Sequence, residues 1–166
     1  KVNSKLGVED MKSILNEITS PFAQEYSTLF NKNYTQGFTD KGDIMYNILN
    51  GWDGVESIDS DATVVFHAIY IQLIQNLFQD ELQSFGDDSF ETFYSLKYIR
   101  SLAIRSIFDG EATLWVDNVL TSKKETLNDI VNQSFDNAHD FLTKNYGNPK
   151  ELTWGDVHQV TYRHRL

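Results

Sequence analysis

Four histidines and a cluster of carboxylates are the residues in this chain whose types could do chemistry. His139 lies between Asp136 and Asp140 at helical spacing, a set that could hold a cation, although a solvated acidic helix face explains it more simply. His67 stands inside an apolar run, where a core histidine hydrogen-bonded to a neighbour is favoured over a metal ligand. His158 and His164 fall six residues apart, too far along an extended chain to share a metal, and His158 close to Trp154 suits a structural hydrogen bond. Asp53, Glu56, Asp59 and Asp61 gather before the longest apolar run. Capping and dipole compensation at a helix start account for them better than calcium does. Ser60 reads as a cap, since no histidine stands at a motif-defined spacing from it. The sequence holds no HExxH, glycine-rich phosphate loop, GxSxG or EF-hand loop.

The elements that must position these residues are helical. Ala62 to Leu77 is apolar on nearly every face, so the spacing predicts a buried hub helix over about 60–82, starting at Asp59 or Ser60. Burying its nine large side chains at about 25 cal/mol per Å2 gives on the order of 15–25 kcal/mol gross, an upper bound. Gln72, Gln75 and Asn76 interrupt the run and exclude a membrane span. Before the hub, the pattern predicts helices over Val8–Thr19, from Ser20-Pro21 through Phe30, and from Thr39 or Asp40 to Leu49, stopped by Asn50-Gly51. After it comes a fifth helix from about Asp88 to Phe108, then an irregular stretch from Glu111 to Leu120. A sixth helix opens with a Ser122–Glu125 capping box and closes at Gly147 and Pro149. Val157 to Leu166 alternates at period two and is expected to be a strand. The fold class is therefore mainly α: six helices around a central buried one, plus a C-terminal strand whose partners must lie outside residues 1–166.

Composition narrows the function classes. Lys plus Arg number 14 against 24 Asp plus Glu, a net charge of -10, which argues against nucleic acid and anionic membranes as partners. The chain has no cysteine, so thiolate nucleophiles and cysteine metal sites are out. With 40% hydrophobic residues among 166, it can bury one core and fits one domain. It begins KVNSKLGVED without an apolar signal region, and this end is read as made by processing or by cloning.

Three ordered stretches carry a resemblance. Leu49-Asn-Gly-Trp52-Asp53-Gly54 with Asp59-Ser60-Asp-Ala62 is similar to "L..WDG....DS.AA". Trp115-Val-Asp117-Asn118 with Thr121 and Glu125 is similar to "WFDD..T...ET". Gly147 followed by Thr153-Trp154-Gly155-Asp156-Val157-His158 and His164 is similar to "G.....WG.LH.....H". These patterns resemble the large (beta) chain of the penicillin amidase family of N-terminal-nucleophile hydrolases, which includes penicillin acylases and acyl-homoserine lactone acylases. Val116 and Arg165 depart from the pattern, where an aromatic and a proline are usual.

The resemblance implies a parent enzyme with an αββα sandwich, periplasmic or secreted, that hydrolyses linear amide bonds in N-acyl compounds, β-lactam side chains or acyl-homoserine lactones. Its nucleophile would be the N-terminal serine of the large chain, and an asparagine with backbone N–H groups would hold the oxyanion. The matched region lies beyond both residues and beyond the family's calcium ligands. No catalytic, cofactor or metal residue is carried over, and Lys1 is not a nucleophile. The expected role of 1–166 is that of an internal helical fragment that shapes the acyl pocket, inactive alone. Its partners would be the remainder of the large chain and the small (alpha) chain, and its uncovered apolar surface offers a route to self-association. The alternative is a free-standing acidic helical interaction module without catalysis.

Overall fold

Hydrophobic periodicity and capping chemistry build an all-helical body. The computed structural model describes residues 6–161. Eight α-helices appear among the described residues: α1 (Val8–Leu15), α2 (Pro21–Asn33), α3 (Asp40–Leu49), α4 (Asp61–Gln83), α5 (Ser89–Ser95), α6 (Lys97–Phe108), α7 (Leu127–Asn145) and α8 (Trp154–Val157). Short 3-10 turns cover Thr113–Val116 and Pro149–Glu151. The predicted caps form where polar side chains precede apolar runs. Ser20 accepts the Ala23 N–H, Thr39 that of Gly42, and Ser60 that of Thr63.

The hub is α4. Its Val65, Phe66, Ile74 and Leu77 are wholly buried, and it packs most extensively on α7, with α3 and α5 on other sides. The α4–α7 seam is also polar. Asn76 Nδ2 donates to Ser134 Oγ at 3.0 Å, and Asn137 Nδ2 donates to Asn76 Oδ1 at 3.1 Å. Asn76, which argued against a membrane span, is therefore a clasp inside the protein. Among the described residues no helix is long and apolar enough to cross a membrane.

Four local expectations need correction. The fifth helix is two, because Leu96 leaves helical geometry at φ -85° and ψ 69°. The Arg100 side chain turns back there to donate to the Tyr94 carbonyl, supplying an acceptor's partner that the broken ladder cannot. The sixth helix starts at Leu127, one turn later than Ser122 would place it, because Glu125 is engaged elsewhere. Thr126 and Asp129 form the capping box instead, with Asp129 N to Thr126 Oγ1 at 3.2 Å and Thr126 N to Asp129 Oδ2 at 2.9 Å.

The terminal strand is not present as predicted. Thr153 and Asp156 make another capping box that winds Trp154–Val157 into helix, and His158–Thr161 forms no strand. The rest of the predicted strand, with Tyr162, His164 and Leu166, lies outside the described residues. Finally, α1 stops at Leu15 rather than Thr19 and buries none of its residues, so Met11, Ile14 and Leu15 face outward. Ile18 and Thr19 instead run alongside the loop after α3, where Thr19 and Val55 form an antiparallel bridge.

Candidate functional site

Two of the three signature stretches meet at the start of α4. In the first, Asn50 ends α3, and the chain turns through Trp52-Asp53-Gly54 with Gly54 at φ +78°. Gly54 must be glycine for two reasons. Its φ is left-handed, and a Cβ would fall 2.4 Å from Gln24 Cγ and 3.1 Å from the Ser20 carbonyl. That close approach lets the Ser20 N–H donate to the Gly54 carbonyl at 2.9 Å. Gln24 Nε2 donates to the Asp53 carbonyl at 2.6 Å. The Trp52 ring lies against Phe66 of the hub, with centroids 5.4 Å apart.

The third stretch closes over the same helix end. The Trp154 N–H donates to the Ser60 carbonyl at 3.1 Å and the Gly155 N–H to the Ile58 carbonyl at 2.7 Å. A Cβ on Gly155 would sit 3.3 Å from the Ile58 oxygen. This docking brings the Trp154 ring onto two histidines. His67 stacks with it at 4.6 Å and His158 at 4.5 Å, with interplanar angles of 18° and 12°. His67 Nε2 faces Glu56 Oε1 at 3.4 Å but makes no aligned hydrogen bond. Burial lowers the His67 pKa, against the opposing pull of the Glu56 carboxylate. His67 is thus half-buried and stacked on Trp154, where a core histidine hydrogen-bonded to a neighbour was expected. The role of His158 is likewise a ring stack instead of a side-chain hydrogen bond.

The second stretch works roughly 25–30 Å away, near the other end of α4. Asp117 Oδ1 accepts the Glu125 N–H at 3.2 Å, Glu125 Oε2 accepts the Asn118 N–H at 3.1 Å, and Glu125 Oε1 accepts the Thr121 hydroxyl at 3.0 Å. The Asn118 N–H, ahead of the Thr121 hydroxyl, holds the Glu125 carboxyl below its ordinary value. Trp115 anchors this closed loop on Phe78 of α4 at 5.3 Å, and Asp80 Oδ2 accepts the Val119 N–H at 2.8 Å. Together the three stretches form two clamps on one helix.

The carboxylates before α4 do not converge. Asp53 Oδ1 accepts the Val55 N–H at 3.1 Å, Asp61 Oδ1 accepts the Ala62 N–H at 2.7 Å, and Glu56 faces His67. Beside His139, Asp136 accepts the Thr39 hydroxyl and Asp140 pairs with Lys41 at 2.8 Å, so this acidic face ties α3 to α7. Among the described residues no group of three or more His, Cys, Asp or Glu side chains could hold a metal. Ser60 Oγ is occupied as the cap of α4, and His164 lies outside the described residues.

Sequence reading missed Glu81. Both of its carboxylate oxygens are sealed from solvent without a hydrogen-bond partner. Burial, then the neighbouring Asp80 and Asp117, pushes its pKa up to about 8 from an ordinary 4.5. One acid among the acidic residues ending α4 gives no local sign of this, because burial depends on the packing around it. The folded state therefore binds more protons than the unfolded one between about 4.5 and about 8. The stability this carries is complete below 4.5 and lost as pH rises through 8. Glu81→Gln is expected to flatten that dependence and to be more stable than the parent sequence near pH 9 by on the order of 1–2 kcal/mol, discounted for solvent screening. Urea midpoints between about pH 5 and 9 that fall in parallel for both proteins would refute it.

Set against known families, the chain matches the family model described as Penicillin amidase over residues 1–166. No curated protein and no solved structure matches it.

Proposed function

The chain belongs to the penicillin amidase family, and from that premise we propose that residues 1–166 are a structural, pocket-shaping segment of the large chain of an amide hydrolase. The substrates of such an enzyme are linear amides: N-acyl compounds, β-lactam side chains or acyl-homoserine lactones. The bond broken is a carbon–nitrogen bond other than a peptide bond.

The observation that supports this reading best is the meeting of the first and third signature stretches through Trp154 N–H to Ser60 C=O and Gly155 N–H to Ile58 C=O. Their side chains serve as turns, caps and ring stacks, so the signatures fix a scaffold and leave the nucleophile to another part of the enzyme. The uncovered apolar side chains of α1 and α6 support contact with the remainder of the large chain and with the small chain. A periplasmic or secreted parent agrees with the family.

The test has two arms. The purified 166-residue chain is expected to release no amine from a chromogenic acyl anilide, and the coding sequence upstream is expected to continue in frame to a serine at a processing site. Turnover by the chain alone that is lost with a serine substitution would overturn the proposal. A start codon just before Lys1 with a stop codon just after Leu166 would instead support a free-standing acidic helical interaction module.

A further inference from the structure

The attachment of α8 to the hub rests on few contacts, and two of them carry a titratable ring. The Trp154 and Gly155 N–H groups dock on the carbonyls of Ser60 and Ile58. The Trp154 indole then stacks with His67 of α4 and with His158, which follows α8. No residue of α8 is fully buried, so these hydrogen bonds and ring stacks carry much of its hold. Imidazole is the side chain whose charge changes closest to neutral pH.

The surroundings of His67 hold little that favours a second proton. Its Nε2 is sealed from solvent and makes no aligned hydrogen bond, with Glu56 Oε1 of the preceding loop 3.4 Å away. His67 lines two cavities. The one of about 220 Å3 is otherwise apolar apart from Trp154 and the Tyr146 phenol just past α7. The one of about 480 Å3 presents the cations Lys97 and Arg100 of α6 and three tyrosine phenols, while α2 supplies only Phe22. Among the described residues neither cavity is walled by a carboxylate.

Two effects oppose each other at this ring. Burial and the neighbouring His158 disfavour the imidazolium, and the Glu56 carboxylate favours it. Burial is the largest, and the His67 pKa falls below its ordinary 6.5. The folded state therefore binds fewer protons here than an opened one. The stability this carries is complete above 6.5 and is lost as pH falls through the lowered folded value. An indole face welcomes one imidazolium. The exposed His158 fills that place with less desolvation, and a second cation at His67 meets its like charge.

We propose that the His67–Trp154–His158 stack is an acid-sensitive latch: protonation of His67 loosens the α8 turn, and the third signature stretch with it, from the start of α4. What opens is the turn alone. The buried side chains of α4 from Ala68 to Phe78 pack elsewhere in the core, and local opening needs less free energy than global unfolding. The latch goes beyond the amidase reading and does not rest on it, because no catalytic group takes part and its test measures no turnover.

Amide hydrogen exchange of the 166-residue chain, corrected for the pH dependence of the chemical exchange step, tests this. Protection of the Trp154 and Gly155 N–H groups, relative to that of Ile74 in mid-helix, is expected to fall at least about threefold between about pH 7.5 and 5. His67→Gln cannot gain a proton and should abolish the fall. Glu56→Gln removes the carboxylate that favours the imidazolium and should deepen it. An NMR titration of the parent chain needs no variant: the His67 ring is expected to titrate below 6.5. Titration of that ring at or above 6.5, constant relative protection in the parent, or an equal fall in the parent and His67→Gln would each overturn the proposal.

Discussion

Replacing Phe66 with alanine should destabilise the protein by about 3–5 kcal/mol. Its ring is 0% exposed and stacks on Phe30 at 5.8 Å and Tyr70 at 6.2 Å, with Phe22 edge-on at 6.1 Å and Trp52 tilted at 5.4 Å. Truncation removes the transfer energy of the ring and leaves a cavity whose walls are other rigid rings, which cannot collapse to fill it. It also strips Trp52 of its support, so the first clamp loosens with the core. Urea unfolding is the measurement, with the midpoint falling and the slope unchanged. A loss below about 1 kcal/mol would mean that α2, α4 and the Trp52 turn do not share one core. Tyr98→Ala, at an exposed position, is the control and should stay within about 0.5 kcal/mol of the parent.

The second large effect comes from a methyl group rather than a ring. Gly54→Ala should cost about 2–4 kcal/mol, of which roughly 1–2 is the left-handed backbone and the remainder the collision. The Cβ would meet not only the movable Gln24 Cγ but also the Ser20 carbonyl at 3.1 Å and the Gln24 N–H nitrogen at 3.2 Å, and backbone cannot step aside cheaply. Gly51 isolates the conformational part. Its φ is +82° with nothing within 4 Å of a Cβ, so Gly51→Ala should cost only about 1–2 kcal/mol. Thermal or urea unfolding of both variants decides the matter. Equal losses at the two positions would mean that the stitch between the α3–α4 loop and the start of α2 gives way without resistance.

The clamps explain why signature residues that look chemical behave structurally. Asp53, Asp117, Glu125 and Asp156 spend their carboxylates on backbone N–H groups of turns and caps. Each such bond satisfies a donor that the helix ladders leave orphaned. An acidic side chain used this way is tied to a local geometry.

What could be read without coordinates was whatever depends on neighbours within about a turn of helix. The hub at α4 followed from an apolar run too continuous for a surface helix. The caps at Ser20, Thr39 and Ser60 followed from a polar side chain preceding each run, and the stop at Gly147 from its backbone freedom. The three signature stretches pointed to the family before any contact was known. The Ser122–Glu125 box failed because a second box, Thr126–Asp129, follows it directly and fits the same rule. The choice fell to Asp117, Asn118 and Thr121, which had already engaged Glu125. Over the described residues of the predicted strand, Thr153 and Asp156 draw Val157 into a helical turn that period-two counting does not see, and His158–Thr161 forms no strand.

Tertiary structure alone decided the rest, for a single physical reason. Burial and electrostatic pairing depend on which distant segments close over a side chain, and sequence spacing does not encode that. Trp154 finds His67 only after α8 docks on the carbonyls of Ile58 and Ser60. Glu81 becomes a reluctant acid only when folding buries it beside Asp80 and Asp117. Arg100 is buried over the Tyr94 ring and donates to the Tyr94 carbonyl, a position that spacing along the chain does not reveal. The order of the helices was written in the pattern of apolar residues; which polar groups would be left sealed, stacked or unpaired was settled by the packing.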